Sequence, residues 1–229
     1  MTIGFDNQPI NHQLLLSLPF EEMTGLVTHD VAKPHHELTL TGTPPTWQSL
    51  VSGQPYIDFD GAADNLQCPA ADSDDLNFTT EDFSLIGWLY NAGLFGTDSV
   101  MCQGEDDVDG WELFIDAAGD ITLRTNQGGA HTDLVAAAGF TATEWSLVGV
   151  SRYLTGGQFF LNGDPITTTG ALTDPVSVAA GNIFYVGCQD GGAANFWDGG
   201  MGRLRAVERR VTTAQMNEIF EAERHWFGV

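Results

Sequence analysis

The chain has 229 residues, 42% hydrophobic and 10% aromatic, enough for one β-sandwich core of the larger kind and too apolar for a disordered chain. Its 31 acidic residues outnumber 8 basic ones, for a net charge of −23, and such a surface repels nucleic-acid phosphates and anionic membranes. No stretch reaches the ~18 apolar residues of a membrane-spanning helix, and Cys68, Cys102 and Cys188 are too widely spaced for a disulfide framework or a zinc site.

Residues 1–12 read as an N-terminal arm with no basic or apolar leader character, so a chain made soluble in the cytoplasm is expected. Residues 14–20 predict a first strand, the acidic pair Glu21-Glu22 leads its turn, and residues 37–42 predict a second strand. Between them, His29, Asp30, His35 and His36 form a His/Asp cluster of a kind that binds transition metals. Without a third spaced ligand, the cluster is read as an exposed loop. Pro44-Pro45 then interrupts the sheet pattern, because neither residue can donate a ladder hydrogen bond.

Residues 56–90 read as strand, glycine turn, strand, acidic loop and an apolar strand carrying Trp88. Further on, Trp111, Leu113 and Ile115 alternate with Glu112, Phe114 and Asp116, so each set takes one face of a strand. Ala118-Gly119-Asp120 turns that strand into residues 121–124, a hairpin. Residues 145–150 predict another strand. Asn162-Gly163 predicts a tight turn, since both turn positions require positive φ. After a further strand at 183–187, Thr212 and Gln215 form a capping box, with Met216, Ile219 and Phe220 at helical spacing.

The run Phe59-Asp60-Gly61 with Asp64, followed by Phe83-Ser84-Leu85 and Trp88, resembles laminin-G-like domains of the concanavalin A-like lectin/glucanase superfamily. Other pieces fill the family's order: Phe20, Glu21, Glu22, Gly25 and Asp30 at the start, the strand opening at Trp145, and the Asn162-Gly163 hairpin. Phe196 to Gly199, Leu204-Arg205 and the capped helix match its ending. The resemblance implies an all-β fold, a two-sheet antiparallel β-sandwich (jelly roll) with one short C-terminal helix, in one domain over residues 1–229. It also implies a non-enzymatic recognition or structural module whose partner is a glycan or a protein surface, with homo-oligomers left open. A lectin-like build without a visible leader suggests a virion or extracellular setting, as a decoration, fibre or adhesion protein; a purely structural assembly protein is the variant without sugar binding.

Three segments carry the candidate chemistry. Carboxylates crowd together at Glu105, Asp106, Asp107 and Asp109, and a hard cation such as calcium would relieve their repulsion. Relatives often place an acidic pair in the last strand, where this chain has Gly202 and Arg203, so a metal ligand inherited there is missing. Asp107, Asp109 and Glu112 mimic the catalytic spacing of laminarinase-type glycosidases, with Asp in place of the first Glu. On a regular strand, Asp107 and Glu112 would face opposite ways, and only a bulge at Gly110 would unite them. Finally, Trp197 with Asn195 and Asp198 is the leading candidate for a sugar-binding platform, joined by Tyr90, Tyr153 and Trp47 near strand ends. Trp88, Trp111 and Trp145 lie in apolar patterns and are assigned to the core. Arg203, Arg205, Arg209, Arg210 and Arg224 gather near the C-terminus, where they pair with acids or form a docking patch.

Overall fold

The computed structural model describes residues 11–137, 139–189 and 194–229, so all but the last two residues of the expected N-terminal arm lie outside it. Among the described residues the strands form two antiparallel sheets. The first orders its strands Asp164–Ile166, Gly156–Leu161, Ser146–Tyr153, Phe83–Asn91, Asp198–Val207, Pro55–Asp60 and Thr46–Ser49, and Leu14–Leu18 also pairs with Asp198–Val207. The second runs from Thr169–Gly170 through His131–Ala136, Ile121–Asn126, Trp111–Ile115 and Asp98–Gln103. It continues through Phe184–Val186, Asn65–Cys68 and Glu37–Thr41 to Val27–His29. The two-sheet sandwich with a C-terminal helix is therefore the jelly roll that the sequence implied.

The core follows the alternation. Trp111, Leu113 and Ile115 point between the sheets and pack with Phe83, Phe78 and Phe184, the Phe78 and Phe83 rings stacking at 4.4 Å. The 118–120 hairpin forms as expected, pairing Ile121 with Ile115. Asn162 and Gly163 adopt φ of 51° and 86°, as their turn requires. All three cysteines are buried and unbridged.

The helix, Thr213–Phe227, is capped by Thr212 and Gln215 in a reciprocal box and ends at Gly228 in the left-handed conformation. Met216, Ile219, Phe220 and Phe227 form a second apolar layer against the outer face of the first sheet, around Trp88. Phe227 stacks on Trp88 at 4.2 Å. The buried Glu223 accepts the Trp88 indole N–H at 2.8 Å and pairs with Arg205 and Arg203, so part of the C-terminal arginine cluster anchors the helix. The rest is also engaged. Arg210 lies 3.9 Å over the Tyr153 ring, Arg209 bonds the His12 carbonyl, and Arg224 pairs with Glu221.

The expected exposed His/Asp loop requires correction. His36 is only 3% exposed and bridges two carboxylates, Nδ1 to Asp30 at 2.7 Å and Nε2 to Asp75 at 2.8 Å. Asp30 also accepts the backbone N–H groups of Ser17 and Ala32, both at 2.7 Å. Burial alone would depress the imidazole, but the two hydrogen-bonded carboxylates outweigh it and raise its pKa to about 9. Asp75 is 39 positions away in sequence and unrelated to the local pattern, which is why the clamp was not visible. His29 and His35 remain exposed.

Candidate functional site

Strand Pro55–Asp60 puts Ile57 and Phe59 into the core, so Tyr56 and Asp58 project from the outer face of the first sheet. In strand Phe83–Asn91 the same alternation sets Trp88 under the helix and Tyr90 beyond the helix end. Between these strands lies Asp198–Val207, where Gly200 is the register partner of both Tyr90 and Asp58. A Cβ on Gly200 would come within 2.8 Å of the Trp145 ring and 3.0 Å of Tyr56, so the missing side chain lets both rings lie down on the sheet.

Trp145 joins the site from the segment just before its strand. The Thr143 N–H donates to the Asn91 carbonyl at 2.8 Å, tying that segment to the end of the Tyr90 strand. The Trp145 ring meets Tyr56 edge-on at 5.2 Å, Tyr90 at 5.7 Å and Phe227 at 5.0 Å. The three outer rings wall a cavity of about 400 Å³ whose polar side is Asp58 and Asp198. That volume lies within the usual range for small-ligand sites.

The Asp198 charge acts on the groups around it. Burial raises the Asp58 pKa and the Asp198 charge raises it further, while the Tyr56 phenol is raised by burial and then by Asp58. Asp98, behind Asp198, is likewise raised by burial and by the Asp198 charge, against a lowering hydrogen bond from Asn91 at 2.7 Å. The face thus offers apolar ring surfaces beside strongly accepting oxygens, the combination that holds a sugar by its C–H face and its hydroxyls.

Of the residues singled out from sequence, Asp198 and Tyr90 line this cavity. Trp197 does not. It is fully buried, edge-on to Phe140 at 6.4 Å, and corrects the expectation of an exposed platform. Its N–H donates to Gly187 and its carbonyl accepts from Gly61, so alternation sends Asp198 outward and Trp197 between the sheets. Asn195 is engaged with Gln189 at 2.5 Å and with the Ser99 N–H. Tyr153 sits at the far end of strand Ser146–Tyr153 from Trp145, roughly 26 Å away at ~3.3 Å per residue. Trp47 bonds the Gly25 carbonyl and packs partly on the core. Tyr56, Asp58 and Trp145 were missed. The alternation Tyr56-Ile57-Asp58-Phe59 was the available signal, whereas Trp145, assigned to the core, is half-buried on the outer face.

The acidic turn divides into separate tasks. Asp109 is buried and accepts the N–H groups of Glu105 and Ala179 at 2.9 and 2.8 Å, closing the turn. Asp106 pairs with Arg124 at 3.1 Å and Asp107 with His131 at 2.5 Å. Ligand atoms of Asp106, Asp107 and His131 lie within 4.8 Å of one another, a set that includes a nitrogen donor. As a catalytic pair, Asp107 and Glu112 are poorly placed. Asp107 occupies the turn with φ of 61°, and Glu112 is 3% exposed beneath Gln189, whose amide donates to it at 3.1 Å.

Two antiparallel sheets, an outer helix and an aromatic–carboxylate cavity on a sheet face define a lectin-like jelly roll. The chain belongs to the concanavalin A-like lectin/glucanases superfamily, whose laminin-G family model matches residues 60–217. No curated protein sequence matches it.

Among solved structures, the receptor-binding domain of botulinum neurotoxin mosaic serotype C/D is similar at a TM-score of 0.71 and 14% identity, over 93% of this chain and 52% of that one. A structure of botulinum neurotoxin type C, whose cell entry depends on interaction with two ganglioside molecules, gives 0.68 and 14% over 93% and 52%. The binding domain of neurotoxin DC in complex with SialylT gives 0.68 and 13% over the same shares. The chain spans about half the length of these proteins, and the likeness is one of fold.

Proposed function

We propose that this protein is a non-enzymatic glycan-binding module whose site is the cavity walled by Tyr56, Tyr90 and Trp145. The observation that carries the reading is the placement of three aromatic rings beside Asp58 and Asp198 on an outer sheet face that the helix leaves uncovered. The similar binding domains, one of them solved with SialylT, support a binding role over a hydrolytic one. In this proposal the module works on a virion or in the extracellular medium, where a decoration, fibre or adhesion protein meets glycans. A glycan array probed with the wild type and with Trp145→Ala tests it. Binding to a defined set of sugars that the variant loses supports the reading, and an array blank for the folded wild type overturns it in favour of a structural assembly role.

A cation at the acidic turn is a separate proposal, supported by the Asp106, Asp107 and His131 donor set. The imidazole nitrogen suits a transition ion better than calcium, which prefers oxygen ligands.

A further inference from the structure

Several acidic side chains are matched with a cation. Asp30 has His36, Glu223 has Arg205 and Arg203, Asp133 has Arg124, and Asp174 has Arg152. Asp58 and Asp198, on the wall of the aromatic cavity, are not. Among the described residues no ion pair reaches either one, and no basic side chain lines their cavity. Burial nonetheless works against the Asp58 charge, and Asp198 adds to the cost.

A second cavity, of about 120 Å³, adjoins the first along the same strand, since Asp58 and Phe59 line both. Asp60 and Asp64 stand on its wall. Asp64 is 2% exposed; its Oδ2 accepts the Asp60 N–H at 2.9 Å, while its Oδ1 is buried and meets no donor. Burial holds the Asp64 proton on to about pH 7, so at lower pH Asp64 is a neutral carboxyl and the charges along the trough are those of Asp58, Asp60 and Asp198. The trough therefore joins an aromatic wall to a row of carboxylates that lacks a protein cation.

We infer that the site takes a glycan bearing free, protonated amines, a chain of 2-amino-2-deoxy sugars, rather than a neutral or acidic one. This rests on the glycan-binding reading and deepens it. A pyranose laid on Trp145 and Tyr90 directs its ring substituents sideways, where an ammonium at C2 meets Asp58 or Asp198 in a charge-assisted hydrogen bond. The aromatic faces add cation–π attraction to the same group. An N-acetyl group removes the charge and brings an acetyl carbonyl toward two carboxylates. A sialylated or uronic chain meets like charge in the cavity and across a protein of net charge −23.

The test is calorimetric titration of the intact chain with a glucosamine oligomer, its fully N-acetylated counterpart and a cello-oligosaccharide, at about pH 6, where a sugar amine is protonated. The glucosamine oligomer is expected to bind at least ~10-fold tighter than the other two, a difference of about 1.4 kcal/mol. The double variant Asp58→Asn, Asp198→Asn should lose that preference, and Trp145→Ala should lose binding to all three. Equal affinity for the charged and uncharged oligomers overturns the amine inference and leaves the glycan reading standing. No binding of any sugar by the folded protein sinks both. Polycation binding that Trp145→Ala leaves intact, and that poly-lysine reproduces, also overturns the inference, because general surface charge would account for it. Circular dichroism of each variant, all changed at half-exposed outer positions, separates lost binding from lost folding.

Discussion

The Trp145 ring meets Tyr56 edge-on across Gly200, with ring centroids 5.2 Å apart and planes inclined at 78°. A glycine in the interior of a strand weakens it, so its presence here reflects the close approach of the two rings.

Replacing Gly200 with Val is therefore expected to push both rings off the sheet. Sugar binding should fall by ~10-fold or more, with a stability loss of about 1–3 kcal/mol from overpacking. Glycan titration and urea unfolding of the same variant measure the two effects. Unchanged binding would show that the rings are not the site.

The His36 clamp makes stability depend on alkaline pH. The folded pKa, about 9, exceeds the unfolded value of 6.5. The charged clamp therefore contributes fully below about pH 6.5, and the contribution is lost as pH rises through about 9. His36→Gln should cost about 3 kcal/mol at pH 6, because Asp30 is left buried without its cation. It should also flatten the stability profile between pH 6.5 and 9. A wild-type profile already flat over that window would rule out the protonated clamp.

Asp64 acts in the opposite direction to an ordinary surface carboxylate. Burial lifts its pKa from 3.8 to about 7, and the neighbouring Asp60 supports the rise against opposing backbone hydrogen bonds. The folded state holds the proton more tightly, so this contribution is complete below pH 3.8 and declines as pH rises through 7. Asp64→Asn keeps an oxygen for the Asp60 N–H and cannot ionise. Its melting temperature at pH 8 should equal or exceed that of the wild type, and a clear drop would show that the ionised form is needed.

For the acidic turn, a bound ion raises apparent stability by mass action. Zinc and calcium titrations followed by melting temperature, repeated with chelator and with His131→Ala, distinguish the donors. A rise with zinc that the variant loses supports the Asp106, Asp107 and His131 set; a rise with calcium alone returns the site to its carboxylates. Identical curves under all conditions remove the metal proposal.

The sequence by itself determined the scaffold. Alternation at Trp111–Ile115, the positive-φ demand of Asn162-Gly163 and the Thr212 capping box are local rules, and each one held when the chain folded. Tertiary structure alone decided the site, because it is assembled across strands distant in sequence. Tyr56 and Asp58, Tyr90, Trp145 and Asp198 come from four separate segments that meet over Gly200 only once the register is set. The same pairing turned Trp197 into the core and Asp198 outward, a one-residue distinction that a glycine-rich loop gives no means of reading. His36 was likewise hidden until Asp75 arrived from 39 residues away. Local propensity fixes turns, caps and faces; which faces stay open depends on where the helix lands, and here it stops at Phe227, leaving the Trp145 wall uncovered.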